Sequence, residues 1–365
     1  MKYRMCKTCV MDTTDPDIKF IGDGCNNCHT AIANYRKVTK EKQKFKSVIR
    51  SIRKAGKGNK YDCVIGLSGG VDSTYVAYIS KKLNLRPLAV HFDNGWNSEL
   101  AVQNIHRILE KLNIDLYTYV VDWEEFRDIQ LSFLKASTPD CEIPTDHAIY
   151  AVLYKTALKY GIKYILDGCN IETESVLPRK WSYGHGDWKY IKNIQKEFGT
   201  ERIKTFPYYT KLQKYIYEKI FNIKRVHILN YVPYKKNEVM KIIKSELGWR
   251  DYGGKHGESF YTKFYQNYIL SEKFGYDKRK IHLSGLIISG QITREEALKI
   301  LETPIYKTIE EKEQDIDYFC EKMQITRKEL DKYMKLPNKT YWDYQNYEND
   351  VLNVIWEKID ELCGR

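Results

Sequence analysis

Short apolar runs alternate with segments of helical periodicity through the middle of the chain. Runs at 61–67, 87–92, 116–121 and 163–167 are rich in Val, Ile, Leu and Tyr and end at Gly, Asp or Ser, which predicts buried strands. A fifth expected strand covers 226–232. Between the early runs, Val76, Ile79 and Leu83, then Ile105, Ile108, Leu109 and Leu112, recur at three-and-four spacing, the signature of amphipathic helices. Such alternation predicts an α/β fold with a doubly wound parallel sheet. Beyond residue 235 the alternation fades into a mainly helical region, where Thr293 and Glu296 have the spacing of a capping box.

Ligands of doubly wound sheets bind beyond the carboxyl ends of the strands, so the residues after each run are candidates. After the first comes Ser68-Gly69-Gly70-Val71-Asp72-Ser73-Thr74. Glycines there permit a sharp turn with successive N–H groups facing an anion, and a helix N-terminus and three hydroxyls add to it. No Gly-Lys-Ser/Thr follows, so this is not a Walker A loop. After the second come Asp93 and Asn94, suited to adenosine or magnesium. After the fourth come Gly168, Asn170, Glu172 and Glu174; one or other of these acids is expected to hold magnesium with Asp72. The loop 139–147 leads to a helix expected near Ala148, with Thr145 or Asp146 as its N-cap, and offers Cys141, Asp146 and His147 as a substrate wall. Farther on, Lys255, His256, Lys278, Arg279 and His282, with Glu258 nearby, sit beside glycine-rich turns and suit a phosphate or carboxylate. Each has an ordinary alternative as a cap or surface charge. The general base is open among His256, His147 and Asp146.

Composition adds a second module. Of nine cysteines, Cys6, Cys9, Cys25 and Cys28 form two Cys-x2-Cys pairs fifteen residues apart, the spacing of a four-thiolate zinc site. An iron–sulfur cluster is the alternative. The expected division is a zinc-binding module at 1–40, a basic helical linker at 41–60, a nucleotide-binding domain at 61–235 and a helical substrate-binding region at 236–365. The net charge of +12 is consistent with an anionic partner. The densest basic stretch, Lys37 to Lys60, reads as a solvated helix face rather than a nucleic-acid site. No apolar run is long enough to cross a bilayer, no signal segment opens the chain, and a cytoplasmic protein is expected.

The Ser68–Thr74 turn looks like the PP-loop of the ATP pyrophosphatases, whose fold is of the adenine nucleotide alpha hydrolase-like type. With the cysteine pairs, His91-Phe-Asp-Asn94, Gly168-x-Asn170, Gly248-Trp-Arg-Asp-Tyr-Gly-Gly-Lys-His256, Asp277-Lys-Arg279, His282-Leu-Ser284 and Ser289-Gly-Gln291, the chain resembles the N-acetyl sugar amidotransferase family, also described as lipopolysaccharide or flagellar-glycan amidotransferases. The resemblance implies ATP and magnesium as well as zinc, with ATP contacts from Ser68, Gly69, Gly70, Asp72, Ser73, Thr74, His91, Asp93, Asn94, Gly168 and Asn170. It implies chemistry at Asp72, Lys255, His256, Lys278 and Arg279, and conversion of a sugar N-acetyl group to acetamidino on an O-antigen or flagellin-glycan precursor. The substrate would be a nucleotide-linked diacetamido uronic acid or a nonulosonic acid related to pseudaminic acid. Ammonia would come from a separate glutaminase. The rival resemblance is to PP-loop tRNA-thiolating enzymes with paired Cys-x2-Cys motifs, but no second such pair follows toward the C-terminus.

Overall fold

The computed structural model describes residues 2–253 and 257–349. A two-residue hairpin, β1 (Phe20–Ile21) and β2 (Gly24–Cys25), leads into α1 (Asn26–Glu41) and α2 (Phe45–Ala55). The α/β unit follows as β3 (Cys63–Gly66), α3 (Val71–Lys82), β4 (Pro87–Asp93), α4 (Glu99–Leu112), β5 (Asp115–Val120), α5 (Trp123–Ala136), α6 (Ile143–Lys159), β6 (Tyr164–Asp167), α7 (Ile171–Glu174), α8 (Trp188–Phe198), α9 (Lys211–Tyr215) and β7 (Lys224–His227). Beyond β7 the described residues are mainly helical: α10 (Lys236–Leu247), α11 (Phe260–Phe264) with a π-helical continuation Tyr265–Lys273, α12 (Arg279–Ile288), α13 (Arg294–Glu302), α14 (Ile309–Met323) and α15 (Arg327–Met334).

All five strands of the main sheet are parallel, in the order β5-β4-β3-β6-β7. Successive strands add outward from β3 to β5, and the chain then crosses back to place β6 on the other side of β3. That reversal opens a crevice between the carboxyl ends of β3 and β6. Alternation along β3 divides the core: Cys63, Ile65 and Leu67 face α2, α3, α4 and α10, whereas Val64 faces α5 and α6. The second core continues into the helical region, where Trp96 packs against Phe260, Tyr261 and Phe319. The helical region is therefore built onto the sheet rather than beside it.

Two boundaries differ from expectation. The fifth strand ends at His227 instead of running to 232, because its ladder partner among the described residues, β6, ends at Asp167 opposite His227; Ile228–Tyr231 turns into a 3-10 helix. Helix α6 begins at Ile143, not near Ala148, with Pro144 in its first turn, where a missing N–H costs nothing. Glu142 takes the N-cap position that was expected at Thr145 or Asp146.

Candidate active site

A cavity of about 1130 Å3 occupies the crevice. At one end lies the Ser68–Ser73 turn. Gly69 has φ +81, and a Cβ there would sit 2.7 Å from Ala101 O, so both its backbone conformation and its surroundings demand glycine. Ser73 Oγ lies 3.1 Å from Ser68 Oγ and accepts from Ser68 N–H at 3.2 Å, closing the loop on itself. Gly70 stands at the N-cap of α3 and brings no side-chain acceptor, which leaves the helix N-terminus to face the cavity. Thr74 is buried off the cavity wall, so the expected hydroxyl contact from it is not available. The Gly248-to-Tyr252 segment braces the loop: Trp249 Nε1 donates to Gly69 O at 2.8 Å, and the Arg250 backbone accepts from Asn104 Nδ2 and donates to Asn104 Oδ1 on α4.

The β6 end presses directly on the start of α3. A Cβ on Gly168 would lie 3.0 Å from Asp72 Cβ, so glycine lets the β6 end and the start of α3 converge. Asp72 Oδ1 accepts from Tyr234 OH and, at 3.5 Å, from Asn170 Nδ2. Tyr234, which had no sequence signal beyond its place near β7, is thereby part of the site; burial, then the charge of Asp72, pushes its pKa far up. Asn170 also caps α7 through Thr173 N–H. Of the two expected magnesium ligands after β6, Glu174 lines the cavity. Glu172 does not. It is buried behind α7, bound to Lys42 Nζ at 3.1 Å and Tyr35 OH at 3.2 Å, because on a one-turn helix residues two apart take different faces.

On the β4 side, His91 and Asn94 line the cavity. His91 Nδ1 donates to Leu67 O at 2.9 Å and its Nε2 accepts from Asn97 Nδ2 at 3.2 Å, so the ring ties β3 to the loop after β4. Asp93 is turned away. Its carboxylate accepts from Gly95 N–H and Asn97 Nδ2 and lies in a separate surface hollow beside Trp123 and Lys322.

The far end is lined by Asp140, Glu142, Asp146, Ser182, His185 and Lys278. His185 Nε2 is 3.2 Å from Asp140 Oδ2 and 3.5 Å from Asp146 Oδ2. Burial alone would lower its pKa, but the Asp140 hydrogen bond and both carboxylate charges raise it to about 9. Glu142 accepts from Thr262 Oγ1 and Gln266 Nε2; burial foremost, then the charge of Asp146, lifts its pKa to about 7. Asp140, Glu142 and His185 escaped the sequence reading. The first two flank a residue that was singled out, and His185 lies in an aperiodic stretch where only its flanking glycines gave a sign.

Several expected residues do other work. Cys141 is buried between the two acids, off the cavity, and burial drives its pKa well up. His147 is wholly buried: Nδ1 donates to His185 O at 2.8 Å, Nε2 accepts from Tyr209 N–H at 3.3 Å, and the ring stacks on Tyr209. Its pKa falls to about 4 through burial, so it holds a loop in place rather than a proton in transit. Arg279 does not reach the cavity either. Its guanidinium binds Asp277 and donates to Thr303 O at 2.7 Å, tying α12 to the end of α13. Lys278, Glu258 and His282 do line the cavity. Lys255 and His256 lie outside the described residues.

The four N-terminal cysteines are buried, and their sulfurs lie within 4.8 Å of one another. Cys6 and Cys28 are 3.9 Å apart, Cys9 and Cys25 3.7 Å. Tetrahedral coordination at ordinary zinc–sulfur distance separates sulfurs by about 3.8 Å. The spacing fits one ion and is too tight for the corners of a cubane cluster.

Two segments of the chain match known protein families. Residues 42–139 match the NAD synthase family, and residues 258–362 match the "LPS biosynthesis protein WbpG-like, C-terminal domain" family. Together the two matches support a lipopolysaccharide-biosynthesis family with a PP-loop domain and a WbpG-like C-terminal domain. The chain is an ATP-utilising enzyme of the synthetase type. The uncharacterized protein MJ1599 of Methanocaldococcus jannaschii is 22% identical over 82% of this chain and 93% of its own length. Among solved structures, a predicted subunit of tRNA methyltransferase from Methanocaldococcus jannaschii has a TM-score of 0.29 at 19% identity, covering 49% of this chain and 73% of that one. The NH3-dependent NAD synthetase of Campylobacter jejuni has a TM-score of 0.29 at 17% identity, covering 58% and 84%. Both family segments meet in the cavity: the first supplies Ser68 to Ser73 and Asn94, the second Glu258, Thr262, Gln266, Lys278 and His282.

Proposed function

We propose that this PP-loop enzyme is an amidine-forming ligase that converts a sugar N-acetyl group to acetamidino during surface-glycan precursor synthesis in the cytoplasm. One observation carries the reading: the phosphate-loop end and the WbpG-like end share one cavity, larger than a single nucleotide needs. The acetamide oxygen attacks the α-phosphate of ATP and pyrophosphate leaves, giving an O-adenylyl imidate. Ammonia adds to the imidate carbon, the C–O bond breaks, and AMP departs with the former amide oxygen. The loop N–H groups, Ser68 and Ser73 stabilise the pyrophosphate. Asp72 and Glu174 are the oxygen donors suited to magnesium, which would neutralise phosphate charge. Glu142, with its pKa near neutrality, is suited to take the proton that ammonia sheds. Lys278, with His185, would hold an anionic group or ring hydroxyls of the sugar. The four-thiolate module would carry structural zinc, and ammonia would be free or supplied by a separate glutaminase.

The test supplies ATP, ammonium and a panel of diacetamido nucleotide sugars and nonulosonic acids, following AMP and sugar mass together. AMP formed with one sugar, and that sugar changed by exchange of O for NH, is the expected result. AMP formed only with tRNA and a sulfur donor would overturn the proposal in favour of thiolation.

A further inference from the structure

Asp167 and His227 end neighbouring strands and face each other in register. Cys169 follows two residues after Asp167, and its N–H donates to Asp167 Oδ1 at 3.2 Å, folding the chain so that its sulfur joins them. One donor atom from each of the three lies within 4.8 Å of the others, and all three line the cavity. We propose that Asp167, Cys169 and His227 form a second metal site, for a divalent transition ion of the zinc, iron(II) or cobalt class.

The donor set decides the class. A thiolate and an imidazole beside one carboxylate suit borderline-soft ions and disfavour magnesium or calcium, which want oxygen alone. Three protein donors leave a fourth position, and here that position opens on the cavity, the pattern of reactive rather than structural zinc. The surroundings hold two donors in place. Arg225 Nη2 donates to Asp167 Oδ2 at 3.2 Å and to Tyr150 OH at 2.6 Å, and that hydroxyl lies 3.8 Å from Cys169 Sγ. Such outer partners orient ligands around metals. Gly168, packed on Asp72, fixes the site next to the phosphate loop. His227 Nδ1 now touches Asp167 Oδ1 at 2.5 Å. A tetrahedral ion needs these two atoms about 3.3 Å apart. The histidine side chain, 44% exposed, has room to swing that far. The ion would present a Lewis acid to an oxygen or nitrogen of whatever occupies the cavity. This site does not depend on the amidine reaction proposed above.

The test titrates the full-length, zinc-loaded protein with cobalt(II), following bound metal per chain and the visible spectrum. Wild type should take up one more cobalt than either Cys169→Ser or His227→Gln, with a single-thiolate charge-transfer band missing from both variants. X-ray absorption at the cobalt edge of wild type should show one sulfur among nitrogen and oxygen neighbours, a readout that needs no variant to fold. Equal uptake and superimposable spectra in wild type and variants, or a cobalt shell of oxygen and nitrogen alone, would overturn the site.

Discussion

His147 commits both ring nitrogens inside the protein, to His185 O and Tyr209 N–H, while Asp146, one residue earlier, faces the cavity with a side chain 49% exposed. Truncating the histidine removes a stacked, buried ring, so His147→Ala should cost about 3 kcal/mol of stability, read from urea unfolding. Asp146→Asn should leave the unfolding midpoint nearly unchanged and alter KM or kcat instead. His185 has its pKa raised from 6.5 to about 9, so the folded chain binds this proton more tightly than the unfolded one. Its stabilisation is complete below pH 6.5 and is lost as the pH rises through about 9. The fall in urea midpoint over that window should be visible in wild type and flattened in His185→Gln. At Gly168 an added methyl meets Asp72 and the first N–H groups of α3. Gly168→Ala should destabilise by about 1–3 kcal/mol and weaken ATP binding, measured by calorimetry.

Helix α12 links the cysteine module to the cavity. Its Ile281 packs with the four cysteines, Met11 and Trp181, while Lys278 and His282 reach the cavity wall. Gly285 lets it touch α7; a Cβ there would lie 2.9 Å from Thr173 O. Val10 N–H donates to Ser284 Oγ at 3.3 Å, Lys280 pairs with Asp12, and Arg294 donates to Cys6 O at 2.9 Å and Cys9 O at 3.1 Å. The module is therefore a buttress for one wall of the site. Removing the proposed zinc with a chelator should raise hydrogen exchange in residues 279–288 and weaken binding of the proposed sugar substrate while ATP binding persists. Unchanged exchange there would remove this coupling. The motifs of the C-terminal third were visible as residues, but their division of labour was not: Trp249 braces the phosphate loop and Arg279 braces α13.

At the scale of the molecule, sheet and helical region share a core around Trp96 and Phe319, and α10 covers α3 and α4. The boundary expected at residue 235 runs through packed side chains. The full chain should unfold in one calorimetric transition, and a fragment of residues 61–235 should be insoluble, because its Trp96 face would be stripped of Phe260 and Phe319. Among the described residues, no helix is long and apolar enough to cross a membrane.

The parallel sheet, the phosphate loop and the cysteine pairs were legible because each is local. Strands follow from short apolar runs, the loop from a Ser-Gly-Gly turn in which Gly69 has a positive φ, and the thiolate site from two tight turns. Tertiary structure alone decided which neighbours face the cavity. Glu142 faces it and Cys141 does not; Glu174 does and Glu172 does not; Asn94 does and Asp93 does not. Successive side chains change face at a strand end, at a helix start and at every residue along a helix, and only packing by distant segments sets which face meets the ligand. His185 and Tyr234 belong to no local pattern, and they join the site because separate elements converge on the crevice between β3 and β6.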